Sequence, residues 1–240
     1  MAVMRSIPLY KRIAAEILRQ IRAGLYPGGT LPSEGQLSES MSVSKHTVRE
    51  ALTALNSLSF ISKRHGIGNR IMHSVVNTPF RIDANTTFFQ LLGEAGYQTR
   101  LELTDFRKAT LDLGVMDHQS YYVYNEVLYA DDTPATHHQI YIPAAVLPTD
   151  RLIDRAPGMS LFDFFASYRI IALHSIVEFV PEIASAEMLD LFGLPDPSAI
   201  NTWDEIIYDN NDQPICLTKL RFNPVVFPLR VVRKDFEIVD

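Results

Sequence analysis

The sequence predicts an α+β protein in two parts. A helical N-terminal part ends in a basic hairpin, and a larger C-terminal part is built on an antiparallel sheet with flanking helices. Apolar residues recur at helical spacing between Pro8 and Ala23 and again after Ser44, which indicates two amphipathic helices. Beyond residue 83, short apolar segments bounded by Gly, Pro, Asn and Asp predominate, which is typical of strands joined by turns.

Composition places the chain among ordinary globular proteins. Its 240 residues are 47% hydrophobic and 21% charged, which excludes wholesale disorder. No apolar run approaches the roughly 20 residues of a membrane span, and the first ten residues lack the apolar core of a secretory signal. The single Cys216 excludes an internal disulfide and a Cys-pair metal site. We therefore expect a cytoplasmic protein with no membrane contact, no metal and no cofactor.

The net charge of −6 is distributed unevenly along the chain. Residues 1–72 hold 10 Lys and Arg against 4 Asp and Glu, whereas residues 73–240 hold 12 against 24. A basic N-terminal part on an acidic remainder favours a nucleic-acid contact made by the N-terminal part alone. Chance variation of surface charge is the alternative explanation, because the imbalance does not name a partner.

Three helices are expected in the N-terminal part. The first runs from Pro8 to Ala23 and stops at a segment rich in Gly and Pro. Ser33, with Gln36 three residues later, is a capping-box pattern that begins a short second helix. Ser44 is a cap for the third helix. The predicted apolar faces of the first and third helices are Leu9, Ile13, Ile17 and Ile21, and Val48, Ala51, Leu52, Leu55 and Leu58.

A basic hairpin follows the third helix. Residues 60–71 place two short extended segments around a turn that contains Gly66 and Gly68. Residues 73–82 contain an Asn-Thr-Pro run and are predicted to be an interdomain linker. The predicted domains are therefore residues 1–72 and residues 83–240.

The C-terminal part is predicted to mix three helices with seven strands. Two strand-turn-strand segments, from Glu126 to Pro134 and from Glu205 to Pro214, match at an offset of 79 or 80 residues. This offset suggests a duplicated unit around one sheet, with chance similarity of two amphipathic hairpins as the alternative. The helix candidates are Thr86–Ala95, Ser160–Tyr168 and Ser185–Phe192. The strand candidates are Thr99–Thr110, Tyr121–Ala130, Ala135–Ile142, His174–Ala184, Ile200–Tyr208, Pro214–Asn223 and Leu229–Phe236.

Three helices followed by a basic hairpin form a winged helix-turn-helix. The third helix of such a domain fits the major groove of DNA with its N-terminal side chains at the base edges, and the hairpin, or wing, contacts phosphates or the minor groove. Basic residues at a helix start are usually only solvated, so the order of the elements carries this prediction. The candidate DNA-binding residues are Ser33, Ser44, Lys45, His46, Thr47, Arg49, Lys63, Arg64, His65, Gly66 and Arg70.

The N-terminal part resembles the GntR family of bacterial transcription regulators over residues 8–72. The likeness rests on Gly29-Thr30-Leu31-Pro32-Ser33-Glu34, on Val43-Ser44-Lys45 with Thr47-Val48-Arg49-Glu50-Ala51-Leu52, and on Arg64-His65-Gly66-Ile67-Gly68. It implies that Ser44 to Arg49 and the wing contact the operator. Two positions depart from the family pattern. Gly35 replaces a common basic residue, which implies one phosphate contact fewer, and Asn69 replaces a common Thr.

The C-terminal part resembles the UTRA domain of the HutC-like subfamily, an α+β fold similar to chorismate lyase. The likeness covers residues 83–236 and rests on Phe88 with Gly96, Asp131 with Pro134, Tyr141-Ile142-Pro143, Ser160-Leu161-Phe162, and Ala186 with Leu189 before Pro195. It implies a small-molecule effector and a homodimer formed through these domains. An all-helical effector domain is disfavoured because this half is rich in predicted strands.

The expected effector site departs from that of relatives that bind sugar phosphates. Those relatives place two Arg where this chain has Glu126 and Leu128, and a Glu where it has His138. A phosphate beside a carboxylate is repelled, so we expect a neutral, zwitterionic or amine-bearing effector. An anionic group docked at the helix starts Thr87 or Ser160, with Arg221 as counter-charge, stays open. The candidate effector-binding residues are Thr87, Phe88, Glu126, Leu128, His138, Ser160, Phe162 and Arg221.

An enzyme is the less favoured interpretation. Glu126 and His138 across a hairpin would suit proton transfer, but no nucleophile elbow, phosphate loop or zinc signature occurs in the sequence. We therefore expect a ligand-responsive repressor that a small metabolite releases from a palindromic double-stranded DNA operator. An activator of the same fold is one alternative. A small-molecule binding or catalytic domain that its DNA-binding head only localises is the other.

Overall fold

A computed structural model describes residues 8–64, 68–84, 86–114, 119–147, 156 and 158–233. The chain divides into two compact units, and the boundary along the main chain lies between Thr86 and Thr87. The segment from Leu229 onward groups with the N-terminal unit. The elements of the N-terminal unit are α1 (Leu9–Arg22), α2 (Glu34–Ser40), α3 (Lys45–Ser57), β1 (Ile61–Arg64), β2 (Gly68–Ile71) and α4 (His73–Val76), followed by a 3-10 turn (Ile82–Ala84).

The three predicted helices form a shared core in the N-terminal unit. Ile17 and Val48 are fully buried where α1 packs on α3, and Leu37 of α2 joins the same cluster. Leu9 was predicted to face inward, but it is about half exposed because it lies in the first turn of α1, outside this cluster. The rest of the predicted stripe, including Ile13, is buried.

The predicted caps are present at both helix starts. The hydroxyl of Ser33 accepts a hydrogen bond from the backbone of Gln36, and the Gln36 side chain accepts one from the backbone of Ser33, which is a complete capping box. Ser44 caps α3 through the backbone N–H of Thr47. The two caps fix where the helices begin, because they satisfy N–H groups that have no partner inside the helix.

The wing is an antiparallel pair of short strands. β1 pairs with β2 from Ile61 opposite Ile71 to Arg64 opposite Gly68. The turn between the strands, including His65 and Gly66, lies outside the described residues, as does the side chain of Arg64.

The segment that was predicted to be a linker is folded onto the N-terminal unit. Val76 of α4 is buried in the helical core, and Phe80 and Arg81 are also buried. The backbone of Arg230 donates to the carbonyl of Phe80 and accepts from the N–H of Ile82. The predicted strand Leu229–Phe236 is wrong over its described part, residues 229–233. The chain has left the sheet at the end of β8, Phe222, and residues 229–233 form only an isolated parallel bridge between Arg81 and Arg230.

The C-terminal unit is a six-stranded antiparallel sheet with three short helices. The strand order is β3-β4-β5-β8-β7-β6, so β5 and β8 are the central neighbours and β3 and β6 are the edges. Six of the seven predicted strands and all three predicted helices are present with ends shifted by one or two residues. The elements are α5 (Phe88–Glu94), β3 (Thr99–Leu111), β4 (Gln119–Ala130), β5 (Thr133–Pro143), α6 (Leu161–Ser167), β6 (Ala172–Ile183), α7 (Ala186–Phe192), β7 (Ala199–Asp209) and β8 (Pro214–Phe222).

The sheet has the arrangement that the repeated hairpins suggested. β4 and β5 form one hairpin, β7 and β8 form the other, and β5 pairs with β8 so that Gln139 lies opposite Lys219. Those two residues are 80 positions apart, which is the offset between the two hairpins in the sequence. Each half of the sheet therefore consists of three consecutive strands, and the halves meet in antiparallel orientation.

The helices cover both faces of this sheet. Phe88 of α5 contacts Trp203 and Phe222, and Phe164 of α6 packs with Tyr124 and neighbouring strand residues. Because side chains alternate across a strand, the register places all of these on one face, which we call the α5–α6 face. Met188 of α7 packs on Ile200 on the opposite face, the α7 face.

Candidate functional site

The start of α3 presents a basic surface to solvent. Lys45, His46 and Arg49 are exposed, whereas Val48 between them is fully buried in the helical core. This alternation follows from helical spacing, since a side chain that anchors the helix turns the neighbouring positions outward. The structure therefore brings these three predicted residues together on one surface.

Local contacts occupy the two predicted hydroxyl residues of this helix start. The Ser44 and Thr47 hydroxyls are 2.9 Å apart, and the Ser44 oxygen also accepts from the Thr47 backbone at 3.1 Å. Ser33, at the start of α2, is exposed, and its hydroxyl is engaged with Gln36. Each hydroxyl keeps further hydrogen-bonding capacity for a ligand.

Arg49 is held by an acidic residue that sequence reasoning did not place among the site residues. Its Nε and Nη2 donate to Oε2 of Glu34 at 3.1 and 2.9 Å. This hydrogen bond lowers the pKa of Glu34 from its ordinary value, and the charges of Arg49, Lys63 and Lys45 lower it further against the opposing effect of burial. The sequence offered no local signal for this pair, because its members are 15 residues apart on different helices.

The wing adds further cations to the same unit. Lys63 of β1 and Arg70 of β2 are exposed, and Lys63 lies near enough to Glu34 to act on its pKa. The remaining wing candidates, Arg64, His65 and Gly66, have side chains or positions outside the described residues. Among the described candidates, the helix and wing cations form a surface suited to phosphates and base edges.

A buried acid and a histidine mark the α5–α6 face of the C-terminal unit. Glu126 of β4 lies opposite His138 of β5, and Nδ1 of His138 is 3.1 Å from Oε1 of Glu126. Glu126 is buried and His138 is nearly so. Burial of a carboxylate is costly unless partners stabilise it, and His138 is one such partner. Leu128, two positions along β4, is fully enclosed on this face opposite Thr136.

The register places two further polar residues on this face that sequence reasoning missed. Glu205 of β7 accepts a hydrogen bond from Nε1 of Trp203 at 3.3 Å, and Thr218 of β8 lies opposite Glu205. Thr218 is fully buried, and its hydroxyl has no hydrogen-bond partner among the described residues. The offset of 79 residues relates Glu205 to Glu126, so the repeat was the signal that would have identified it.

The predicted helix-start residues are occupied by local structure. Thr87 caps α5 in a complete capping box with Gln90, and the Ser160 hydroxyl caps α6 and donates to Asp163. Phe88 lies in an aromatic cluster with Trp203, Phe222 and Phe227, so it packs in the core of the unit. Phe162 of α6, by contrast, is exposed.

Arg221 is not brought to the other effector candidates. It pairs across the sheet with His137 and therefore lies on the α7 face, away from Glu126 and His138. Its Nε donates to Glu182 at 2.7 Å and its Nη1 donates to Gln139 at 2.9 Å. Burial lowers the pKa of His137 from its ordinary value, and the charge of Arg221 lowers it further. The register across β5 and β8 decides this placement, and it is not visible in the sequence.

Two further expectations concern metals and membranes. Within the described ranges, His, Cys, Asp and Glu side chains form no group of three or more placed to hold a metal ion. In the same part of the chain, no helix combines the length and hydropathy needed to cross a bilayer. Cys216 is fully buried in the core of the C-terminal unit.

Comparison with known families identifies both units. Residues 9–71 match the family described as bacterial regulatory proteins, gntR family, and residues 99–227 match the UTRA domain. These matches confirm the predicted winged helix-turn-helix and the predicted α+β effector domain. They also establish that the N-terminal unit is of a DNA-binding class and that the C-terminal unit is of an effector-binding class.

The chain is also similar to curated and solved proteins over most of its length. It is 26% identical to the mannosyl-D-glycerate transport/metabolism system repressor MngR of Escherichia coli K12, covering 80% of this chain and 82% of that protein. It is 24% identical to the HTH-type transcriptional regulator GgaR of the same strain, covering 87% and 84%. These relatives are transcriptional regulators, which confirms the interpretation of the chain as a regulator rather than an enzyme.

Solved structures support the fold. The Bacillus subtilis protein YydK superposes with a TM-score of 0.71 at 16% identity, covering 95% of this chain and all of that one. PhnF from Mycobacterium smegmatis superposes with a TM-score of 0.57 at 19% identity, covering 92% and 99%. Identities this low show a common architecture of both units.

Proposed function

Because the chain belongs to the GntR family of bacterial transcription regulators and carries a UTRA domain, we propose that it is a repressor that a small metabolite releases from a palindromic operator. The observation that carries this proposal is the surface formed by Lys45, His46 and Arg49 at the start of α3, in a unit that also carries the wing cations and in a chain that contains an effector-binding domain. The relative MngR is a repressor, which supports repression as the direction of control.

We assign the DNA contacts to two elements. Arg49, Lys45 and the Thr47 methyl at the start of α3 meet base edges and flanking phosphates in the major groove. Lys63 and Arg70 of the wing meet the backbone or the minor groove. The full proposed set is Ser33, Ser44, Lys45, His46, Thr47, Arg49, Lys63, Arg64, His65, Gly66 and Arg70.

A homodimer through the C-terminal units accounts for an unusual edge strand. β6 is 12 residues long, and it exposes large apolar side chains in the described chain, among them Ile176, Phe179 and Ile183. An exposed apolar edge strand invites pairing with another chain, so natural proteins normally cover it. A second copy of β6 would cover it and would join two DNA-binding heads in one molecule, as a palindromic operator requires. This geometry supplies the second set of phosphate contacts that one small domain lacks.

The effector is proposed to bind at the α5–α6 face beside Glu126 and His138. Glu126 stands where relatives that bind sugar phosphates are expected to carry an Arg, and His138 stands where they are expected to carry a Glu. A buried carboxylate disfavours a phosphate dianion and favours an amine, a zwitterion or a neutral hydroxyl-bearing ligand. Leu128, Phe162 and the helix starts at Thr87 and Ser160 would complete the site. Arg221 lies on the α7 face, so it would contact an effector only if part of that effector reached the α7 face.

Effector binding would act by shifting populations. A ligand that binds better to one arrangement of the two heads lowers the fraction that fits the operator, in proportion to its differential affinity. Activation of transcription by the same fold is the alternative outcome, and an in vitro transcription assay on the operator distinguishes the two.

Fluorescence anisotropy with the DNA upstream of the protein's own gene tests the proposed DNA binding. We expect the protein to bind this DNA more tightly than scrambled DNA. The affinity for this DNA is expected to fall steeply between about 50 and 200 mM salt. Arg49→Ala removes a base-edge or phosphate contact and is expected to weaken operator binding about tenfold or more. Lys11→Ala on α1 removes one positive charge outside this surface and is the matched control. If neither this DNA nor any genomic fragment is bound specifically, the proposed repressor function is wrong.

Titration with sugar phosphates tests the proposed effector chemistry. We expect no saturable binding at micromolar concentration, because the phosphate would approach Glu126. The readout is Trp203 fluorescence, since this tryptophan, the chain's only one, packs on Phe88 at the α5–α6 face. Micromolar binding that Glu126→Gln strengthens would confirm the site but contradict the exclusion of phosphate.

A further inference from the structure

Glu34 connects the start of α2 to α3, the helix proposed to enter the major groove. It is the first residue of α2, and it meets Arg49 from the second turn of α3. Both helix starts are fixed by their own caps, at Ser33 and at Ser44. The pair therefore joins two helices whose starts are both fixed by caps. It sets the direction of the Arg49 side chain from a residue on a different helix.

The geometry of the pair leaves part of Arg49 available. Nε and one N–H of Nη2 point to a single oxygen of Glu34, so two of the five guanidinium N–H groups are used. The two N–H groups of Nη1 and the second one of Nη2 are not used by this pair, and one from each nitrogen forms the outer edge of the guanidinium. That edge is the one that pairs with two acceptors on a guanine or a phosphate. Arg49 is about two-thirds exposed and Glu34 about one-quarter exposed, so the acid lies beneath the base it holds.

The surroundings of Glu34 extend this role beyond one pair. Lys45 of α3 and Lys63 of β1 are both near enough for their charges to stabilise the Glu34 carboxylate. The stem of Lys45 also passes over α2, because a Cβ added at Gly35 would lie 3.8 Å from its Cε. Lys45 therefore lies beside the start of α2, next to the Glu34–Arg49 pair.

We infer that Glu34 is a positioning residue for operator recognition, which orients Arg49. It makes no contact with the bases in this role. The inference rests on the proposed DNA-binding function and adds to it the residue that sets its selectivity.

The inference predicts effects of opposite sign on two kinds of binding. A carboxylate near the phosphates opposes binding to any duplex, so its removal strengthens sequence-independent binding. Its removal also frees Arg49 to sample other directions, so the preference for the operator falls. An ordinary exposed ion pair contributes little and would change both affinities by one common factor.

The experiment compares Glu34→Gln with Glu39→Gln, which removes the same charge from the exposed far end of α2. Anisotropy is measured on an operator duplex, selected from fragmented genomic DNA, and on its scrambled counterpart at about 100 mM salt. For Glu34→Gln we expect tighter binding to the scrambled duplex and an operator preference reduced about tenfold. Glu39→Gln is expected to leave the preference unchanged.

A double-mutant cycle tests whether Glu34 acts through Arg49. In the Arg49→Ala background, Glu34→Gln is expected to cause no further loss of preference. The inference would be overturned if Glu34→Gln reduced the operator preference equally in both backgrounds. It would also be overturned if Glu34→Gln changed the affinities for the operator and the scrambled duplex by the same factor. Thermal unfolding of each variant detects a folding defect. If Glu34→Gln has such a defect, Arg49→Lys replaces it as the test. Arg49→Lys keeps the charge but not the two-pronged geometry, and it is expected to show the same loss of operator preference. A wild-type protein without preference for any genomic duplex would instead refute the proposed function, and the positioning role with it.

Discussion

Single residues in the DNA-binding unit show how a small change alters a charged surface. Gly35 stands on α2 beside Lys45, at a position where the family resemblance leads one to expect a cation. An added Cβ would meet Lys45 Cε and Ser33 Oγ only at ordinary van der Waals distances, and the backbone there is not left-handed. The site therefore has room for a side chain, and the absence of a cation there is a property of this chain rather than a steric requirement.

Gly35→Arg is expected to tighten DNA binding. The new guanidinium would lie next to Lys45 and add one phosphate contact, which steepens the dependence of log affinity on log salt by about 1. Gly35→Ala is the control, because it provides the same gain in helix propensity, roughly 1 kcal/mol, without a charge. Anisotropy over a salt series measures both. Equal slopes for the two variants would show that residue 35 does not face the DNA.

Among the elements, the segment that joins the two units has an unexpected hydrogen-bonding partner, residues 230–232. Residues 80–82 hydrogen-bond to Arg230, and the backbone of Val232 donates to the carboxylate of Asp83. Arg81 is buried, forms an ion pair with Asp83 at 2.6 Å and lies over the ring of Phe60, which precedes β1. The pKa of Asp83 is lowered because hydrogen bonding and charge from Arg81 outweigh its burial. Residues 230–232 therefore help to hold the segment that joins the two units.

Arg230→Pro is expected to loosen this segment. Proline removes the N–H that donates to Phe80, whereas Arg230→Ala keeps that N–H and loses only the side-chain bond to the Pro79 carbonyl. Hydrogen exchange of peptides covering residues 77–84 is expected to rise in the proline variant and to stay near wild type in the alanine variant. Equal exchange in all three proteins would mean that the C-terminal segment does not stabilise the junction.

For the whole molecule, the exposed apolar edge of β6 is the surface through which we propose that two copies assemble. The two halves of the sheet meet at β5 and β8, which leaves β3 and β6 as the outer strands. Of these, β6 carries most of the exposed large apolar residues, whereas β3 exposes charged residues such as Arg100 and Arg107. Charged side chains on an edge strand discourage pairing with another chain. β3 is therefore suited to remain a solvent-exposed edge, and β6 is suited to pair with another strand.

Ile176→Glu is expected to dissociate the proposed dimer. A charge in the middle of β6 would be buried without a partner if two copies pair there. The control is Val225→Glu, which places the same charge at an exposed apolar position outside the sheet. Analytical ultracentrifugation is expected to give about 27 kDa for the first variant and twice that for wild type and control. An unchanged mass of the Ile176→Glu protein would exclude β6 as the interface.

The sequence by itself determined the elements and the family, because their signals are short-range. Four-residue apolar spacing, serine caps and glycine-containing turns act over a few positions, and helices, wing and hairpins follow from them. The hairpin that carries Glu126 and His138 was equally accessible, but its register was not. The two-residue turn pairs Tyr129 with Pro134, and a bulge between Leu128 and Tyr129 then shifts the pairing by one residue, so that Glu126 lies opposite His138 rather than His137. The offset between the two hairpins also anticipated the symmetric sheet.

Only the tertiary structure decided which of these residues meet. The register of β5 against β8 places Arg221 on the α7 face and Thr218 on the face of Glu126. The register of β7 against β8 places Glu205 on that same face. The packing of α2 against α3 set Glu34 on Arg49, and the return of the chain end placed Arg230 on residues 80–82. Each of these contacts joins positions far apart in the chain, where local propensity carries no information and burial of the common core decides the outcome.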